Sequence, residues 1–253
     1  MEKYAVITGA SSGIGREFAK QLSRKGYSLV LAARRKERLE QLAQELPTNV
    51  KVIACDLSQK SECFRLLQEI EPLNVRIFIN NAGFGCIGSM DETSLETELS
   101  MLQVNVRAVH ILSKKMIQRY EQQGIPGTLI NVASVAGLFP AGPYMATYYA
   151  TKSYVASLTT AIYHELRQKR SNIYVGCICP GPVNTEFNDV AGVRFSLPGI
   201  SPKECVSIAL RKMSRRKALI IPGNSVRFLF VLQRVIPRCI LVPIIGKQQQ
   251  RKK

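Results

Sequence analysis

Short apolar runs alternate with amphipathic segments along most of this chain, and that alternation restricts the fold more than any other feature. Ala5–Thr8, Ser28–Ala33, Val50–Cys55, Ile77–Asn80, Thr128–Ala133 and Ile173–Cys179 read as strands buried on both faces. Between them Gly13–Lys25, Arg35–Leu46, Ser61–Ile70, Leu95–Glu121 and Tyr148–Gln168 read as helices, and Lys217–Ile221 supplies a seventh strand. Strand–helix–strand units with right-handed crossovers predict one α/β domain, a doubly wound parallel sheet of about seven strands with helices on both faces. The 253 residues, 46% of them apolar, are enough to bury its core. Ligands of such sheets bind outside the carboxyl ends of the strands.

Two motifs fall at those ends. Thr8-Gly9-Ala10-Ser11-Ser12-Gly13-Ile14-Gly15 joins the first strand to the first helix. Gly9 permits a tight turn, Gly13 lets backbone approach a pyrophosphate, and Gly15 allows close helix–sheet packing; the helix N-terminus adds free N–H groups. Later come Tyr148 and Lys152, which share one face of a helix. A neighbouring ammonium stabilises phenolate, so Lys152 is expected to lower the Tyr148 pKa and fit it for proton exchange with a carbonyl or alcohol oxygen. Tyr144 and Tyr149 are rivals for this role, with Tyr149 three residues from Lys152. His110 and His164 lie on different helices, with no carboxylate or cysteine at ligand spacing, so no metal site is expected.

The glycine turn, Asn80-Asn81-Ala82-Gly83, Asn105, Ser134, Tyr148-x-x-x-Lys152 and Pro180-Gly181 occur in that order. The set resembles the short-chain dehydrogenase/reductase family over essentially the whole chain, closer to its ketoacyl and hydroxysteroid-type reductases than to its sugar-active members. The resemblance implies a Rossmann-type sheet and an oxidoreductase that interconverts a ketone and a secondary alcohol. It implies catalytic roles for Asn105, Ser134, Tyr148 and Lys152, with Asn105 distorting its helix and extending a proton relay through a water. It places the dinucleotide on Gly9, Ser11, Ser12, Gly13, Ile14, Gly15, Asp56, Leu57, Asn81, Ala82, Gly83, Tyr148, Lys152, Pro180, Gly181, Val183 and Thr185.

Coenzyme choice is read at the end of the second strand. An acid there would bind the ribose 2′-hydroxyl and repel a 2′-phosphate; the chain has Ala33-Arg34-Arg35 instead. Arg34 matches the arginine that NADP-dependent relatives set against the 2′-phosphate, and Arg35 is a second candidate. NADP(H) is therefore the expected cofactor, although Ser12 stands where many NADP-preferring relatives have a basic residue. An NAD-dependent alcohol dehydrogenase and a non-catalytic dinucleotide-sensing or scaffold protein are the alternatives. The substrate pocket is expected from Phe84–Ser89, Ala136–Tyr144 and Gly181–Gly199, with Leu138, Phe139, Tyr144, Val190 and Phe195 making it apolar and suited to a small hydrophobic carbonyl compound.

Seven cysteines without a C-x-x-C pair read as reduced structural thiols, Cys177 and Cys179 on one face of a strand. The amino-terminal segment lacks the apolar core of a signal peptide, which predicts a cytoplasmic protein. The formal charge of +17 is concentrated late: residues 201–253 hold thirteen Lys or Arg against one acid, Glu204. No RNA-binding or zinc-finger pattern accompanies it, so nucleic acid is not an expected partner. The chain divides into a catalytic domain, 1–224, with a substrate loop at 181–200, and a basic apolar extension, 225–253. In that extension Phe228, Leu229, Phe230, Val231, Leu232, Val235, Ile236, Ile240 and Leu241 are interspersed with Arg227, Arg234, Arg238 and Lys247–Lys253. Two readings stay open: a helix that closes the pocket or packs on a partner subunit of a homo-oligomer, or peripheral docking on an anionic membrane.

Overall fold

Apolar residues on both faces of each strand require cover on both sides, and the computed structural model, which describes residues 2–192 and 199–250, provides it. Strands β1 (Tyr4–Thr8), β2 (Ser28–Ala33), β3 (Val50–Ala54), β4 (Val75–Asn80), β5 (Thr128–Val132), β6 (Tyr174–Ile178) and β7 (Leu219–Ile220) form one parallel sheet in the order β3-β2-β1-β4-β5-β6-β7. Alternate side chains serve opposite layers. Ala5, Ile7, Leu29 and Leu31 meet helices α1 (Gly13–Ser23), α2 (Lys36–Gln44) and α8 (Pro202–Met213). Val6, Val30 and Phe78 meet α3 (Lys60–Glu69), α5 (Val109–Gln123) and α6 (Ala146–Gln168). Strand order reverses between β1 and β4, which opens a crevice at their carboxyl ends.

The six buried strands fall where the apolar runs predict them. Two helical expectations change. Leu95–Glu121 is not one α-helix: α4 (Leu95–Leu102) passes into a π-turn, Gln103–Ala108, before α5. The short α7 (Phe187–Ala191) and helix α8 are additions to the expected set, and the signal of α8 is in the sequence: Ser201 caps it by accepting from the Glu204 N–H at 3.1 Å, with Pro202 at the first turn. Beyond β7, α9 (Asn224–Leu232), a 3₁₀ turn (Gln233–Val235) and α10 (Arg238–Gln250) fold back over the catalytic body. Leu241 and Ile245 pack with Met101, Met145 and Tyr149, and Gln233 Nε2 donates to the Leu138 carbonyl at 2.7 Å. Among the described residues, no helix is long and apolar enough to cross a membrane.

Buried side chains pin the crevice walls. Thr8 Oγ1 accepts from the backbone N–H groups of Asn81 and Ala82 at 2.9 and 3.0 Å, and Asn81 Nδ2 donates to the carbonyls of Thr8 and Gly9. Asn80 Nδ2 donates to Asn131 Oδ1 at 2.9 Å and Asn131 Nδ2 to Thr159 Oγ1 at 2.9 Å, tying β4 through β5 to α6. Asn80, which ends β4, and Asn81, which follows it, therefore both have structural work, whatever ligand lies beside them.

Candidate active site

A cleft of about 430 Å³ runs along the carboxyl ends of the strands from the glycine turn to the C-terminal helices. Its dinucleotide end is built by backbone. Gly9 and Gly13 take φ of +64° and +53°, a region that favours glycine. A Cβ on Gly9 would fall 2.8 Å from the Ala82 Cα, and one on Gly13 would meet the Thr185 side chain at 3.1 Å. Gly15 lies outside the cleft; its Cα faces the Gly9 carbonyl, where a Cβ would come within 2.3 Å. The third glycine is thus a packing glycine. Ser11, Ser12, Ile14, Arg34, Arg35, Asp56, Leu57, Asn81, Ala82, Gly83, Pro180, Gly181, Val183 and Thr185 all line the cleft.

The two arginines differ in their engagements. Arg35 donates through Nη2 to Ser11 Oγ at 3.1 Å and pairs through Nη1 with Glu186 at 3.0 Å, and Arg38 pairs with the same carboxylate. The two guanidinium groups and their hydrogen bonds hold the Glu186 carboxyl below its usual range. Arg34 lines the cleft without an ion pair among the described residues, so its fork is free for a phosphate. Arg16 turns away to Glu45 at 2.5 Å and offers no substitute for a basic residue at Ser12.

At the far end, β5 and α6 bring the sequence-predicted catalytic side chains together. Ser134, in extended backbone after β5, accepts from the Ala136 N–H at 3.2 Å and starts a 3₁₀ turn, Val135–Leu138. Tyr148 lies in the first turn of α6, its ring 5.5 Å from that of Phe187. Lys152 Nζ is 5.8 Å from the Tyr148 ring centroid and donates to the Val132 carbonyl at 3.1 Å. The expectation that Lys152 lowers the tyrosine pKa is corrected here. Burial pushes the Tyr148 phenol well above its ordinary value, and the Ser134 hydroxyl opposes that shift only in part. The ammonium sits beside the ring, and its own pKa is lowered to about 8 by the same desolvation.

Asn105 lies outside the cleft, fully buried in the π-turn. Its Nδ2 donates to the Phe84 carbonyl at 2.9 Å and to Thr151 Oγ1 at 3.1 Å, and its Oδ1 accepts from the Phe84 N–H at 3.1 Å. Both Asn105 Oδ1 and Lys152 Nζ crowd Gly83, where a Cβ would meet them at 2.9 and 3.1 Å. The helix is distorted at Asn105 as expected, and the side chain clamps the loop that follows β4. Of the rival tyrosines, Tyr149 accepts from Gln249 Nε2 at 2.6 Å, and Tyr144, at φ +64°, is bonded by Gln250. His110 is bonded to Tyr154 at 2.6 Å, remote from this centre.

Phe84, Ala136, Phe139, Phe187 and Val190 give the substrate end apolar walls. Of the expected segments, residues 85–89, 137, 138 and 140–144 do not line it: Leu138 packs toward Val109 and Val155, and Tyr144 turns to α10. Phe195 lies outside the described residues. The sequence reading left open whether the C-terminal extension reaches the pocket; Val226, Leu229, Gln248 and Gln249 all line the cleft. Val226 abuts Gly181, where a Cβ would fall 2.5 Å from its Cγ2.

The sequence model described as short chain dehydrogenase matches residues 3–192. An uncharacterised oxidoreductase of Staphylococcus epidermidis is 35% identical over 218 residues, 84% of this chain and 93% of that protein. A very-long-chain 3-oxoacyl-CoA reductase of Neurospora crassa is 32% identical over 232 residues, 87% of this chain and 68% of its own length. Among solved structures, a short-chain dehydrogenase from Sphingobium yanoikuyae in complex with NADPH superposes with a TM-score of 0.81 at 31% identity, covering 93% of this chain and 96% of that one. With its seven-stranded sheet, glycine turn and Ser134–Tyr148–Lys152 cluster, the chain belongs to the short-chain dehydrogenase family, NAD(P)-dependent oxidoreductases acting on CH–OH and C=O groups.

Proposed function

We propose that the protein is an NADP(H)-dependent reductase that interconverts a hydrophobic ketone and its secondary alcohol. One observation carries this reading: a single cleft has a glycine turn with an unpaired arginine at one end and Ser134, Tyr148 and Lys152 within apolar walls at the other. The coenzyme fits the chain. The positive-φ glycines clear the backbone for a pyrophosphate, and Arg34 offers a free guanidinium where a 2′-phosphate would lie. When bound, NADPH supplies the hydride.

The chain supplies orientation and protons. Ser134 directs a hydrogen bond at the substrate oxygen. Tyr148, whose phenol is protonated at neutral pH and is held so more firmly by burial, donates the proton that oxygen needs as the carbonyl is reduced. Lys152 returns the proton to Tyr148 and holds the nicotinamide ribose, and Thr185 holds the carboxamide. Asn105 positions Gly83 and Phe84 beside Lys152. Asp56 and Leu57, which line the cleft, would hold the adenine end of the coenzyme. The NADPH in the Sphingobium structure and the acyl substrate named for the Neurospora relative support the same coenzyme and an apolar ketone. Residues 1–224 form the dinucleotide-binding catalytic body in this reading, and Val226, Leu229, Gln248 and Gln249 of the extension complete the wall of its cleft. The protein is cytoplasmic and homo-oligomeric in this reading.

NADPH consumption with ketones of increasing apolar size tests the proposal. No turnover with any of them would leave a dinucleotide-sensing protein. Efficiency with NADPH should exceed that with NADH, and Arg34→Ala should erase about one to two decades of that preference, the value of one charge-assisted contact of ~1.5–3 kcal/mol. Equal efficiency with both coenzymes, unchanged by the substitution, would favour the NAD-dependent alternative, which Ser12 suggests.

A further inference from the structure

Helices α9 and α10 use one face each on the cleft. Val226 and Leu229 line its wall, and Leu241, Ile245 and Gln249 are buried. Their other faces, with the turn between them, carry large apolar side chains that no other described residue covers. Phe228 and Val231 on α9 are 68% and 58% exposed, Ile240 and Ile244 on α10 53% and 55%, and Val235 in the 3₁₀ turn that joins the helices 77%. The patch is continuous with the cleft, because Leu229 and Val190 both line the cleft and are exposed. Arg227, Arg238 and Lys247 are exposed on the same helices, and Glu204 is the last acid in the chain.

Water is a poor partner for such a row, since exposed apolar patches of this kind mark contact surfaces. A second copy is also a poor partner. A two-fold interface sets the same patch against itself, bringing Arg227, Arg238 and Lys247 toward their own copies with no acid on the patch to neutralise them. An anionic lipid surface satisfies both features at once. Aliphatic and aromatic side chains enter the acyl boundary while guanidinium and ammonium groups meet phosphates. We infer that the α9–α10 face docks on an anionic bilayer and turns the apolar mouth of the cleft toward it, so that the ketone is taken from the lipid phase. The part about ketone loading rests on the reductase reading; the docking does not. With no helix among the described residues able to span a bilayer, the attachment is peripheral and weakens as salt screens the charges.

The test is flotation of the full chain with phosphatidylcholine vesicles, with and without phosphatidylglycerol. The protein should rise only with the anionic vesicles at low salt and be released by added salt. The double variants Phe228→Asp/Val235→Asp and Arg227→Glu/Arg238→Glu should each lower the vesicle partition coefficient by ~10-fold or more. Both should keep wild-type thermal unfolding and wild-type rates on a water-soluble ketone. A wild-type protein that stays unbound to anionic vesicles at low salt would overturn the inference. So would a Phe228→Asp/Val235→Asp variant that floats unchanged, or one whose only change is a smaller mass in sedimentation, which would make this face a contact between copies. If flotation behaves as expected but no ketone is reduced, the reductase reading fails and the docking stands.

Discussion

Tyr148→Phe should lower turnover by ~10²–10⁴-fold, the usual value of a general acid, while leaving NADPH affinity close to that of the parent. The substitution removes one oxygen and keeps the ring that packs at 5.5 Å against Phe187 and fills the space beside Gly85. The fold should therefore tolerate it, and a fluorescence titration with NADPH separates lost binding from lost chemistry. The companion Tyr149→Phe should retain most of the rate, because its hydroxyl is bonded to Gln249. Near-normal reduction by Tyr148→Phe would remove this phenol from the mechanism. A collapse of turnover with Tyr149→Phe alone would transfer the role to its neighbour.

Lys152→Met should also lose roughly 10²-fold or more in turnover, since it deletes the group that returns protons to Tyr148. Its second effect is on stability and has a defined sign. Burial lowers the Lys152 pKa from 10.5 to about 8. Between those values the unfolded chain binds a proton that the folded chain does not, so this group makes stability rise with pH across that window. Below pH 8 the folded protein bears the full cost of an ionised buried lysine. Relative to Lys152→Met, the parent should therefore gain about 3 kcal/mol between pH 7 and pH above 10.5, from 2.5 units at ~1.36 kcal/mol each. Denaturant melts of both proteins without added NADPH, run across that range, measure it. Parallel pH profiles would show that Lys152 keeps its ordinary pKa in the fold.

The strands β1, β2, β4, β5 and β6 were legible because they are buried on both faces and so read as apolar runs, whereas the edge strand β3 is only partly buried. The glycine turn was legible because backbone geometry there excludes side chains, as the contacts of Gly9, Gly13 and Gly15 show. Interactions between distant segments were not. Nothing local to Arg35 announces Glu186, 151 residues away, and nothing in α10 announces that Gln249 meets Tyr149. The sign of the Tyr148 shift was missed for the same reason: the spacing of Tyr148 and Lys152 reports proximity, whereas desolvation depends on everything packed around them. Asn105 did give a local warning, because asparagine in a helix interior is unfavourable without a separate task.

That warning marks a change of phase. Met101 before the π-turn, Asn105 within it, and Leu112, Met116 and Tyr120 after it are all buried. A π-turn closes i→i+5 and so holds one residue more than a turn of regular α-helix. The π-turn absorbs the surplus residue, so that α4 can address α6 while α5 stays aligned on the sheet. Deleting any one residue from 103 to 107 would make the helix regular and rotate everything after it by about 100° relative to what precedes it. Either Met101 or the row from Leu112 to Tyr120 would then leave its layer. The extra residue is thus shared property: the register of a fifteen-residue helix and the seat of the Asn105 clamp are set by the same insertion, and neither can be altered without the other.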